Sequence, residues 1–121
     1  MTLERRVANW VESRIGKSHM QSKERAMRLL EEAIELAQAE GIDSEMTHCQ
    51  VDHVFGRPAG FSRQEAAGVA VCLLGWCAST GNTLEALALE EIKRIEAKPI
   101  EQIRGSLARK ADCDLVVAVD L

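Results

Sequence analysis

Three glutamates lie close together in the stretch Arg28-Leu-Leu-Glu-Glu-Ala-Ile-Glu-Leu-Ala37. On a helix at 100° per residue, Glu31, Glu32 and Glu35 share an arc of about 100°. Ala26, Leu29, Leu30, Ala33, Ile34 and Ala37 fill a separate arc of roughly 140°, an apolar face that calls for burial. Three carboxylates that close repel one another unless positive charge sits among them. A hard cation such as Mg²⁺, which takes oxygen ligands, meets that need. So do basic side chains at helical spacing, since Arg28 stands i,i+3 to Glu31 and i,i+4 to both Glu24 and Glu32. A metal-binding face and a solvated, ion-paired face both fit this stretch.

The elements that must hold these residues read as helices throughout. Leu3, Val7, Trp10, Val11 and Ile15 recur at helical spacing up to Gly16. The acidic helix follows, opened by Ser22 or by a Ser18–Gln21 capping box and closed at Gly41. Asp43 or Ser44 caps a third helix through Phe55, with Met46, Cys49 and Val54 as a weak apolar side. Gly56-Arg-Pro-Ala-Gly60 is a loop. Ser62-Arg-Gln-Glu65 has the form of a capping box. The helix it opens carries no charge from Ala66 to Ser79 and is apolar nearly all round, so it is expected at the buried centre. Gly68 and Gly75 on that helix suggest close approach of a neighbour. Asn82 or Thr83 opens a fifth helix with the stripe Leu84, Leu87, Ala88, Ile92 and Ile95. Pro99 restarts the chain into a sixth, carrying Ile100, Ile103 and Leu107. Leu115 to Val119 is either a short strand or tucked apolar chain.

The fold class is therefore all-α, a bundle of four to six helices in one domain spanning 1–121. The chain of 121 residues carries a net charge of −4 at pH 7, with 46% hydrophobic and 28% charged residues. That composition excludes a disordered chain, and the negative charge weighs against nucleic-acid polymers. The longest strongly apolar run, Ala66 to Ala78, is too short to cross a bilayer, so no membrane is expected. Cys49, Cys72, Cys77 and Cys113 form no CxxC pair, and Cys72 and Cys77 read as small core residues. The start Met-Thr-Leu-Glu-Arg-Arg has no apolar signal core, and a reducing cytoplasm is the expected setting. His19, His48 and His53 meet no metal-ligand spacing and read as solvated or core-satisfied. Trp10 and Trp76 have the shape to stack on a base, with core packing favoured for Trp76.

Glu65 is the one carboxylate on the uncharged helix, in its first turn, where the helix dipole favours it. Taken together, Leu-Leu-Glu31-Glu32-Ala-Ile-Glu35-Leu-Ala, then Gln-Glu65-Ala-Ala-Gly-Val-Ala-Val-Cys-Leu-Leu, then Gly-Asn-Thr-Leu-Glu-Ala-Leu resemble the MazG-like family. This is an all-α group of nucleoside triphosphate pyrophosphohydrolases, and the resemblance covers about residues 20 to 98. It implies Mg²⁺, with Mn²⁺ as a substitute, held by Glu31, Glu32, Glu35 and Glu65, and a nucleoside triphosphate cleaved to monophosphate and pyrophosphate. It implies catalytic roles for Glu31, Glu32 and Glu35, and assembly as a homodimer or homotetramer.

The family's Glu-x-x-Asp reads Glu65-Ala-Ala-Gly68 here, so one carboxylate is missing. A branch of phage and bacterial members carries glycine at that point, and Val51-Asp-His-Val-Phe-Gly-Arg-Pro58 is similar to that branch. Asp52, one of few acidic residues between the two motifs, is our candidate replacement. Arg57, Lys93 and Arg104 are the candidate phosphate ligands. The alternatives are a non-catalytic metal- or nucleotide-binding protein and a plain helical interaction protein.

Overall fold

The computed structural model describes residues 1–111, and among them all regular structure is helical. The suggested strand over Leu115 to Val119, and Cys113, lie outside the described residues. Six α-helices follow in order: α1 (Leu3–Trp10), α2 (Ser22–Ala39), α3 (Ser44–Phe55), α4 (Ser62–Thr80), α5 (Leu84–Glu96) and α6 (Ile100–Ala111). Thr2 caps α1, its Oγ1 accepting from the Arg5 amide at 3.1 Å. One wide π-turn, Val11–Ile15, prolongs α1 and closes with the Gly16 amide donating to the Val11 carbonyl at 2.8 Å. Gly16 takes φ 129°, a conformation glycine tolerates, and turns the chain into a 3₁₀ turn, Lys17–His19. Ser22, not the Ser18–Gln21 box, opens α2.

Asp43 caps α3 as its side chain predicts, Oδ1 accepting from the Met46 amide at 2.9 Å. The fourth helix differs from expectation. Its cap residue is Phe61, no side chain caps it, and Ser62 lies inside the first turn, so the Ser62–Glu65 capping box does not form. Thr83 caps α5, accepting from the Ala86 amide at 3.3 Å.

The chain divides into two compact units, Met1–Glu35 with the chain from Ile92, and Leu36–Glu91. The first holds most of the buried apolar side chains: Val11, Ile92, Ile103 and Leu107. Its π-turn contacts α1, the 3₁₀ turn and α6. Polar links tie α1 to the last turn of α5. Arg6 donates from Nε and Nη2 to the two Glu96 carboxylate oxygens, at 3.0 and 2.7 Å. Arg14 donates to the Glu96 carbonyl at 2.9 Å, and the Trp10 indole to the Ile95 carbonyl at 3.3 Å. Trp10 is thus a packing residue anchored by its N–H. His19 is fully buried, with Nδ1 2.7 Å from Glu24 Oε2, while Arg25 reaches the same oxygen at 3.2 Å.

In the second unit the expectation of a buried α4 fails. Cys77 is its one buried apolar residue among those described, while Val71 is 67% and Leu74 51% exposed. A helix apolar all round needs cover on every side. Here only the side bearing Leu73, Trp76 and Cys77 is withdrawn from water. Cys72, expected in the core, is exposed. Among the described residues, no atom beyond α4's own nearby backbone lies within 4 Å of the position a Cβ would take at Gly68 or Gly75, so neither glycine meets there the neighbour the sequence suggests. The apolar face of α2 is half-covered for the same reason, with Leu29, Leu30 and Ile34 all exposed. No single described helix is long and apolar enough to cross a membrane.

Two measurements check the polar links. The Arg6 hydrogen bond holds the Glu96 carboxyl below its usual range, the nearby positive charge adding to it against a smaller desolvation effect. The pair's contribution is therefore present above the ordinary carboxylate pKa and disappears as pH falls through the lowered Glu96 value. Glu96→Gln is expected to flatten that part of the acid limb in a series of melting curves. His19→Ala is expected to cost about 1–3 kcal/mol in urea unfolding, because it removes a buried partner of Glu24.

Candidate functional site

Helix α2 brings its carboxylates to one edge of the first unit because Glu31 and Glu35 are four residues, one turn, apart. Both line a cleft of about 240 Å³ with Met27, Arg28, Leu30, Ile34 and Lys110. The apolar side chains come from α2's hydrophobic stripe. The charged ones stand where that stripe meets the acidic arc. Lys110 arrives from the last turn of α6.

The charges are closely matched. Arg28 Nη1 donates to both Glu31 oxygens, at 2.8 and 2.9 Å. Lys110 Nζ lies 3.1 Å from Glu31 Oε1. Arg28, Lys110 and Glu31 are partly covered, so these bonds are less screened than surface pairs and keep a defined geometry. Glu32 is exposed on the neighbouring part of the helix and has interactions of its own.

Each predicted residue has a definite place. Glu31 and Glu35 meet at the cleft, and Glu32 is on the same helix. Asp52 (α3), Arg57 (the following loop) and Glu65 (first turn of α4) belong to the second unit, and all three are exposed. The Glu65 carboxylate folds back over the loop, where a Cβ at Gly60 would lie 3.0 Å from Oε1. Lys93 and Arg104 are exposed on α5 and α6 and do not line the cleft. The cations that do are Arg28 and Lys110. Arg28 was legible as a helical ion-pair partner. Lys110 was one of several basic residues late in the chain, and no spacing rule distinguishes it from Arg104 or Arg109.

The donor set can be tested against Mg²⁺. Among the described residues no three His, Cys, Asp or Glu side chains gather within reach of one ion. Mg²⁺ does not require that, since it is commonly held by one or two carboxylates with waters and substrate phosphates completing its six ligands. Glu31 and Glu35, two oxygen donors on one cleft, fit this mode once Arg28 and Lys110 release Glu31. Anionic phosphates are what would draw those two cations away. The cleft is smaller than the roughly 300–1,000 Å³ that encloses a drug-sized ligand, so it suits one part of a nucleotide.

Comparison with protein families, with characterised proteins and with solved structures finds no match to this chain. The site therefore has to be argued from its own geometry.

Lys110→Gln tests the cation pair. Partly exposed ion pairs contribute at most about 1 kcal/mol, so unfolding is expected to change little. Pyrophosphate binding, followed by calorimetry, is expected to weaken by about tenfold, one phosphate contact's share. Unchanged pyrophosphate affinity would remove Lys110 from the site.

Proposed function

We propose that this chain is a MazG-like, Mg²⁺-dependent nucleoside triphosphate pyrophosphohydrolase. The observation that carries the reading is the meeting of Glu31 and Glu35 with Arg28 and Lys110 at one cleft. Acidic groups suited to a hard cation stand beside basic groups suited to phosphate, over an apolar floor of Met27, Leu30 and Ile34.

In this reading substrate entry is an exchange of partners. Arg28 and Lys110 leave Glu31 for phosphate oxygens, and Glu31 and Glu35 become available as metal ligands. When bound, Mg²⁺ would supply charge neutralisation and lower the pKa of a water. A carboxylate among Glu31, Glu32 and Glu35 that is not a ligand accepts the proton of the attacking water. The water oxygen bonds to the α-phosphorus, the bond to the bridging oxygen of the β-phosphate breaks, and pyrophosphate leaves. Most of the acceleration comes from positioning and charge stabilisation by these side chains. By the same resemblance Glu65 and Asp52 add oxygen ligands, Asp52 in place of the carboxylate missing at Gly68. Arg57, Lys93 and Arg104 are further phosphate contacts, and the protein works as an oligomer. The free thiols of Cys49, Cys72 and Cys77 fit a cytoplasmic setting.

A second reading, a non-catalytic nucleotide-binding protein, is favoured by one specific observation: both Glu31 oxygens are already paired with cations. Pyrophosphate release from ribo- and deoxynucleoside triphosphates, with Mg²⁺, Mn²⁺ or EDTA, separates the two. Metal-dependent release that Glu35→Ala lowers by at least about a hundredfold is expected for a metal ligand. Nucleotide binding without release would support the second reading. Mg²⁺ titration into Asp52→Ala is expected to show about tenfold weaker affinity, the effect of losing one ligand. Unchanged affinity would remove Asp52 from the site.

A further inference from the structure

Two carboxylates line the α2 cleft, and their surroundings differ. Both oxygens of Glu31 are taken: Arg28 Nη1 donates to them at 2.8 and 2.9 Å, and Lys110 Nζ stands 3.1 Å from Oε1. Glu35 lines the same cleft, is exposed, and is in no ion pair among the described residues. The paired side chains are each less than a third exposed, so their attraction is only partly screened. All four charged side chains belong to the first unit, so the cluster is local to it.

The lining charges cancel, Arg28 and Lys110 against Glu31 and Glu35. A divalent cation entering alone meets one open carboxylate and leaves the cleft with surplus positive charge. A phosphate entering alone meets two cations already engaged and leaves surplus negative charge. Entering together, the two offset each other.

We propose that Arg28, Glu31 and Lys110 form a latch that makes metal binding and phosphate binding conditional on each other. The proposal rests on reading the cleft as a metal–phosphate site, and it holds for a hydrolase and for a binding protein alike. Phosphate oxygens draw Arg28 and Lys110 off Glu31, and the second carboxylate opens. A cation engaged by Glu31 releases Arg28 and Lys110 in turn. By linkage, each ligand then raises the affinity for the other by one common factor. Two partly exposed ion pairs set that factor at about ten- to thirtyfold. The closed cleft thus favours a metal–phosphate complex over either component.

Calorimetry of the full chain tests the latch, using Mg²⁺ alone and pyrophosphate in EDTA, so that neither probe brings the other. Lys110→Gln and Arg28→Gln each remove a cation from Glu31 and are expected to bind Mg²⁺ alone about fivefold more tightly than wild type. Glu31→Gln releases both cations and is expected to bind pyrophosphate about tenfold more tightly. Arg109→Gln removes the same charge from an exposed neighbour on α6 that does not line the cleft, and is expected to leave both affinities unchanged. Far-UV circular dichroism establishes that each variant is folded, and either cation variant suffices if the other is not. These gains in affinity on losing a charged side chain are the signature of a latch, since a residue that only supports the fold or only contacts a ligand gives losses. If either gain is missing, or Arg109→Gln matches it, the latch is overturned, and binding of the probes by wild type leaves the cleft reading standing. No binding of either probe by any of the chains overturns both.

Discussion

Apolar side chains must leave water, and in the first unit they do so around Val11. This residue has no exposed surface and sits where α1 widens into its π-turn. The turn is the element that contacts α6, whose Ile103 and Leu107 are also buried. Once Val11 is in place, α1 lies where Arg6 can reach Glu96 with two hydrogen bonds, and where Trp10 and Arg14 can take the carbonyls ending α5. Those bonds satisfy carbonyls that a helix end otherwise leaves to solvent. The same packing fixes α6, and α6 is what delivers Lys110 to the cleft. The charged site thus depends on an apolar contact.

At the cleft the governing constraint is charge. Glu31, Glu32 and Glu35 would repel one another if left alone, and Arg28 with Lys110 offsets that repulsion at Glu31. An anionic ligand would compete for these cations, and a metal ion would compete for the carboxylate. Under the proposed function, a metal–phosphate complex would exchange one set of charge pairs for another. The buried His19–Glu24–Arg25 group, at the start of the same helix, is a separate structural arrangement.

The second unit shows the complementary problem. Its helices are well formed, with Asp43 and Thr83 as caps and Gly81 in the left-handed conformation at the end of α4. Yet little of its apolar surface is covered. Local signals determine where a helix starts and stops. They do not say whether the surface around it comes from the same chain or from another. Gly68 and Gly75 make this concrete: their spacing suggested a close neighbour, and among the described residues none takes that place.

The sequence by itself determined the six helices, the apolar stripes of α1, α2 and α5, and the sharing of one α2 face by three glutamates. Helical periodicity and capping are local, and they involve residues within four positions of one another. It misjudged the Ser62–Glu65 box, since one residue's shift in the start of a helix turns a cap into a first-turn residue. It also placed α4 and Cys72 in a core, since hydropathy reports the need for burial and not its source. Only the tertiary structure decided that Lys110, rather than Lys93 or Arg104, meets Glu31, and that His19 is buried against Glu24. The first contact joins residues far apart in the chain. Its geometry comes from how α6 packs on the π-turn, and no spacing along the sequence records that.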